Sequence, residues 1–167
     1  MKWCNRVGSI CEQQQVLDRT ILPLNTREDI LTEAFDCFIA SIPHSEAKEQ
    51  LTYGMAEIWD VSSDRIESYM SLYKPRLESR DASLSIGRVA LRKLRESAPA
   101  VISASNFAFT RHALRLMEQV AVCIHLNEPA LLIGETGTGK TSVIQYMSNQ
   151  LNQQLVVLVC LLSTFGY

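Results

Sequence analysis

Eight consecutive residues carry the clearest chemistry in this sequence: Gly134, Glu135, Thr136, Gly137, Thr138, Gly139, Lys140 and Thr141. A polyphosphate needs many donors and no bulky side chain in its way. A glycine loop at the head of a helix offers backbone N–H groups together with the positive end of the helix dipole. Gly134, Gly137 and Gly139 supply backbone freedom, and Lys140 follows where its ammonium reaches the β and γ phosphates. The Thr141 hydroxyl stands where it can ligate a Mg²⁺ that bridges phosphate oxygens. The spacing G-x-x-x-x-G-K-[ST] is complete, and at ordinary glycine usage it arises by chance on the order of once in a few hundred chains of this size. Thr136 and Thr138 serve equally well as turn residues and as phosphate contacts through their N–H groups. Glu135 points to solvent, and the whole constellation reads as the first half of an ATP or GTP site.

Such a loop works only between a strand and a helix, and both flanks have that character. Pro129 to Ile133, PALLI, is a short apolar run leading into the glycines, and Lys140 to Asn149 has helical composition. Upstream, Ala113, Leu114, Met117, Val120, Ala121 and Ile124 form the apolar face of a helix beginning near Thr110, with Arg111, Arg115, Glu118 and Gln119 on the opposite face. The run Leu155 to Leu162 predicts a buried strand that, with Pro129 to Ile133, makes an incomplete parallel sheet. Phe107 and Phe109 either wall an adenine pocket or pack at a junction.

Before residue 100 the pattern is mostly helical. Thr26 caps a helix whose apolar positions are Ile30, Leu31, Ala34, Phe35 and Phe38. A second helix starts after Pro43 and Ser45 and runs toward Trp59, and a third runs from Ser63 to Tyr73 and is stopped by Pro75. Leu84, Ile86, Val89 and Leu91 alternate with a slip at Gly87, which predicts one short strand with a glycine bulge. Arg92 to Ser105 has no period and reads as a linker.

Composition narrows the classes further. At 167 residues and 47% hydrophobic content the chain is globular, and a formal charge of −2 gives no basic field for a nucleic-acid backbone. The five cysteines, Cys4, Cys11, Cys37, Cys123 and Cys160, never fall at C-x-x-C spacing and read as small core hydrophobes. His44, His112 and His125 are too isolated for a metal site. The longest apolar run is far shorter than the roughly 20 residues of a membrane span, and the N-terminus lacks the apolar core of a secretion signal.

Taken together, NFAFTRHALRLMEQVAVCIHLNEPALLIGETGTGKTSVIQYMSNQLNQQLVV in the second half, and MKWCNR, EAFDCF, YKP and GRVAL in the first, resemble the midasin family of dynein-like AAA+ ATPases. The resemblance implies an α/β P-loop NTPase start preceded by a small helical lid bundle. Residues 1–100 would be the lid of one module plus linker, and residues 101–167 the truncated beginning of the next nucleotide-binding domain. It also implies ATP and Mg²⁺ at Gly134 to Thr141 and the remaining AAA+ modules of the same ring as partners. Precursors of the large ribosomal subunit (pre-60S particles) would be reached through the whole machine, in the nucleolus and nucleoplasm. The family's acidic Walker B strand, sensor and arginine finger fall downstream of this stretch, so these residues are expected to bind nucleotide without hydrolysing it. Other classes compatible with the residues are a self-contained nucleotide-binding adaptor or switch and a helical interaction module with a vestigial loop.

Overall fold

The computed structural model describes residues 2–14, 22–43, 45–94 and 107–158. Most of the Arg92 to Ser105 linker, His44, Cys160 and the end of the apolar run after Leu158 lie outside the described residues. Four helices open the chain: α1 (Lys2–Gln13), α2 (Leu24–Ala34), α3 (Glu46–Ile58) and α4 (Ser63–Ser71). Three short strands follow, β1 (Leu77–Ser79), β2 (Ser83–Ile86) and β3 (Val89–Arg92), and then α5 (Arg111–His125) and α6 (Lys140–Leu151).

Local chemistry accounts for most boundaries. The Ser45 side chain accepts from the Lys48 N–H at 3.3 Å at the head of α3, where Glu46 and Glu49 face the positive end of the helix dipole. Thr110 accepts from the Ala113 N–H at 3.1 Å and starts α5 in the same way. Thr26, by contrast, is not a cap. Pro23, at φ −56°, precedes the first turn of α2, so the helix starts earlier and Thr26 is buried within it, donating its hydroxyl to Gln14 Oε1. The helix then widens into a π-helical turn, Phe35–Ile39, closed by the Ala40 N–H on the Phe35 carbonyl at 2.9 Å. Helix α1 was not anticipated. Trp3, Val7, Ile10 and Cys11 recur at helical spacing and are half-buried, and the helix is held by packing along α2 and by Trp3 against Phe38 and Trp59, with ring centroids 6.0 and 6.1 Å apart.

The expected bulged strand is instead an antiparallel hairpin. Ile86 pairs with Val89, so Gly87 and Arg88 are a two-residue turn, and β1 adds on the other side of β2 in the order β1-β2-β3. The expected parallel sheet is absent from the described residues. Pro129 to Ile133 is irregular and unpaired, Leu131 and Ile133 are each 83% exposed, and Leu155 to Leu158 is exposed as well. A parallel strand needs strands paired along its edges and helices over both faces, and among the described residues no strand pairs with these. The cysteines also differ from expectation: Cys4 is exposed, and Cys11, Cys37 and Cys123 are only half-buried.

Two apolar cores result. The smaller joins Leu31, Ala56, Val61 and Ile66 in the helical bundle. The larger joins Leu84, Ile86 and Leu91 of the hairpin to Leu114, Met117, Val120 and Ala121 of α5 and Val143, Met147 and Leu151 of α6. Each fully buried side chain of this size contributes roughly 1.5–3 kcal/mol.

Between the cores runs a buried charged seam. Arg88, on the hairpin turn, donates from Nε to Glu33 Oε1 at 2.8 Å and from Nη2 to Asp36 Oδ2, and its Nη1 lies 3.1 Å from Glu118 Oε2. Glu118 Oε1 accepts from the Tyr73 hydroxyl at 2.6 Å and from the Arg88 N–H at 2.9 Å. Gln119 donates to Asp36 Oδ1 at 2.8 Å. Glu118 is therefore not on a solvated face, as the helical pattern suggested, but 2% exposed. Burial by itself depresses the Arg88 pKa, but Asp36, Glu33 and Glu118 outweigh it and hold the guanidinium charged.

Gly87 sits at φ 53° with room for nothing larger, because an added Cβ would stand 1.9 Å from Glu118 Oε1. Gly87→Ala is expected to lower stability by about 2–3 kcal/mol in urea unfolding, through backbone strain and loss of the Glu118 contacts. Tyr69 stacks on Tyr73 at 5.0 Å, and burial, followed by the nearby Asp36 carboxylate, pushes its phenol up to about 12. The fold thus favours the neutral phenol. Its contribution is complete below pH 10 and lost as pH rises through 12, on the order of 2 kcal/mol. Equilibrium unfolding of Tyr69→Phe should show a correspondingly shallower alkaline decline than the parent chain.

Candidate nucleotide-binding loop

Helix α5 brings the chain to the loop. Its last turn ends with Asn127 in the left-handed region at φ 53°, and the Glu128 N–H reaches back to the Cys123 carbonyl at 2.7 Å. From there Pro129 to Ile133 crosses to Gly134 with only Leu132 packed against the larger core. At the far side α6 starts at Lys140, fixed to α5 and β2 by Val143, Met147 and Leu151. Its C-terminal end is tied to the sheet, since the Leu94 N–H donates to the Leu151 carbonyl at 3.0 Å and Asn152 Nδ2 donates to the Leu94 carbonyl at 3.1 Å.

Gly139 is the N-cap of α6 at φ 82°, a conformation that any side chain with a Cβ resists, and Gly137 shares that angle. The space around both is open, so the requirement is conformational rather than steric. The Val143 N–H closes the first helical turn on the Gly139 carbonyl at 2.9 Å, and the amides before it have no helical carbonyl to bond. Lys140 curls back over the glycines. Its ammonium donates to the Gly134 carbonyl at 2.9 Å, to the Glu135 carbonyl, and to Thr138 Oγ1 at 3.0 Å, and Thr138 in turn donates to the Glu135 carbonyl at 2.9 Å. Gly134, Glu135, Thr136, Gly137, Thr138 and Thr141 are all exposed.

The donor set therefore fits a Mg²⁺-polyphosphate. The unpaired amides of the first α6 turn, the Lys140 ammonium and the exposed Thr141 hydroxyl lie within one turn of a helix N-terminus, and phosphate oxygens could replace the carbonyls that now hold Lys140. Of the sequence-selected residues, Gly134 to Thr141 come together. Phe107 and Phe109 pack instead on Tyr146 of α6, with centroids 4.8 and 5.4 Å away. Tyr146 was missed because a single tyrosine in a polar helix carries no signal of its aromatic partners. His112 and His125 are exposed. A groove of 470 Å³ among α2, α3 and α4 draws none of its lining from the loop.

The charged seam is the larger omission. Its hub, Glu118, lies four residues after Leu114 and three before Ala121, both buried, so its helical phase could have placed it inward.

Comparison with known proteins adds three findings. Residues 1–62 match the family model of the midasin AAA lid domain, and residues 99–165 match that of the P-loop containing dynein motor region. A midasin from Dictyostelium discoideum is 38% identical over 95% of this chain, and one from Giardia intestinalis is 32% identical over 80% of it. The chain spans about 3% of the length of each of these relatives.

Gly139→Ala is expected to lower stability by about 1 kcal/mol, because alanine must adopt the left-handed angle at the α6 cap. Chemical denaturation monitored by far-UV circular dichroism measures this directly.

Proposed function

We propose, from the premise that this chain belongs to the midasin family, that Gly134 to Thr141 bind ATP with Mg²⁺ as the Walker A loop of one module in an AAA+ motor. The observation that carries the reading is the left-handed Gly139 cap with the Lys140 ammonium folded over the loop it belongs to. Lys140 takes the β and γ phosphates and the Thr141 hydroxyl takes the metal, while the open amides of the α6 start receive the remaining phosphate oxygens.

Bound Mg²⁺ would neutralise charge across the phosphates. The water-orienting group and the arginine that phosphoryl transfer also needs come from other parts of the assembly, so the role of this stretch is binding rather than turnover. In the whole protein, nucleotide at this loop would drive movement between neighbouring modules of the ring. That motor would remodel precursors of the large ribosomal subunit in the nucleus.

The reading predicts that the 167-residue chain binds ATP in the presence of Mg²⁺ and that Lys140→Ala weakens binding by at least about tenfold, the loss of one charge-assisted contact. Isothermal titration with ATP is the measurement, with circular dichroism to establish that the variant is folded. Equal affinity in the folded variant would refute the assignment.

A further inference from the structure

Helix α1 lies far from the loop in sequence yet touches the segment that feeds it. Lys2 and Arg6, one helical turn apart, both reach across to the exit of α5. Arg6 donates from Nε at 3.1 Å and from Nη2 at 2.8 Å to a single oxygen of Glu128, while its Nη1 donates to Glu33 of α2 at 2.8 Å. Lys2 Nζ donates to the carbonyl of the next residue, Pro129, at 2.7 Å. Two cations on one helix face thus grip two consecutive residues at the root of the phosphate loop, and five residues after Pro129 the chain is at Gly134.

We infer that Lys2 and Arg6 are positioning residues for the phosphate loop: α1 is a brace that fixes the direction in which the chain leaves α5. Three observations carry this. The Arg6 and Glu128 side chains are 7% and 9% exposed, so their ion pair is shielded from solvent and directional. The segment after Pro129 has little else to hold it, since Leu131 and Ile133 are exposed and only Leu132 packs inward. Arg6 also bridges Glu128 to Glu33, which Arg88 holds as well, so the brace is anchored in the charged seam rather than in a free helix. A consequence follows by linkage: nucleotide that orders the loop also tightens α1 against the Glu128–Pro129 root, and loosening α1 weakens nucleotide binding. This second clause rests on the nucleotide reading above; the brace itself does not.

Backbone ¹⁵N order parameters of the full 167-residue chain, without nucleotide, test the brace. In Arg6→Ala, amides from Ala130 to Gly139 are expected to fall from rigid values of about 0.8 to below about 0.6, while α6 amides after Val143 keep theirs. Lys2→Ala, at an exposed position that folding tolerates, should give a smaller drop in the same amides, and Arg6→Lys should restore part of the loss. Ile66→Val, a destabilising change in the helical core, should leave these amides unchanged. Unchanged order parameters in both Lys2→Ala and Arg6→Ala overturn the inference, as does an equal drop in Ile66→Val, which would make the effect general loosening. Titration with ATP then separates the two proposals. A parent chain that binds no ATP removes the nucleotide reading and leaves the brace to the order parameters. A parent chain that binds, with folded Arg6→Ala binding equally well, removes the linkage.

Discussion

Arg88 is the group on which the arrangement of this chain depends. One guanidinium, on a two-residue turn, meets Glu33 and Asp36 of the helical bundle and Glu118 of α5. Charges taken out of water are costly, and removing one partner of a buried pair leaves the other uncompensated, at about 3–5 kcal/mol. Such a cluster therefore tolerates few alternative geometries. Its members come from α2, the π-helical turn, the hairpin and α5, so satisfying them fixes four elements against one another at once. Replacing the set by apolar residues could leave stability much as it is. What the charges add is the choice of one arrangement over other apolar ones.

The seam explains details that look accidental one at a time. Gly87 must be glycine because the Glu118 carboxylate fills the space beside it. Asp36 follows Glu33 by three residues, a spacing that puts both carboxylates on one helix face, where they meet one arginine. Tyr73 ends the helical bundle with its hydroxyl on Glu118, and Tyr69 stacks beneath it against the Arg115 guanidinium, 4.8 Å from the ring centre. Helix α5 is the shared member. It offers one face to the seam and another to the larger core, and its end launches the segment that leads to the glycine-rich loop. Leu131 and Ile133 of that segment are exposed, and no strand pairs with them among the described residues.

The sequence by itself determined the glycine-rich turn at the head of α6 and the helices around it, because those depend on neighbours within a few positions. The helix starts at Ser45 and Thr110 and most of the apolar stripe of α5 are local quantities, and the structure keeps them, although Ile124 of that stripe is exposed and Glu118 of the opposite face is buried. Near misses were also local. Thr26 was displaced as a cap by Pro23, and a slip in alternation at Gly87 proved to be a turn, since both readings break the period of two in the same way. Only the tertiary structure decided what the buried charges hold. Glu118 lies 30 residues from Arg88, and Arg6 lies 122 residues from Glu128. A charged side chain carries no periodic mark of a partner that distant. Its burial becomes favourable only when the fold delivers the opposite charge, and that delivery is a property of the packed chain.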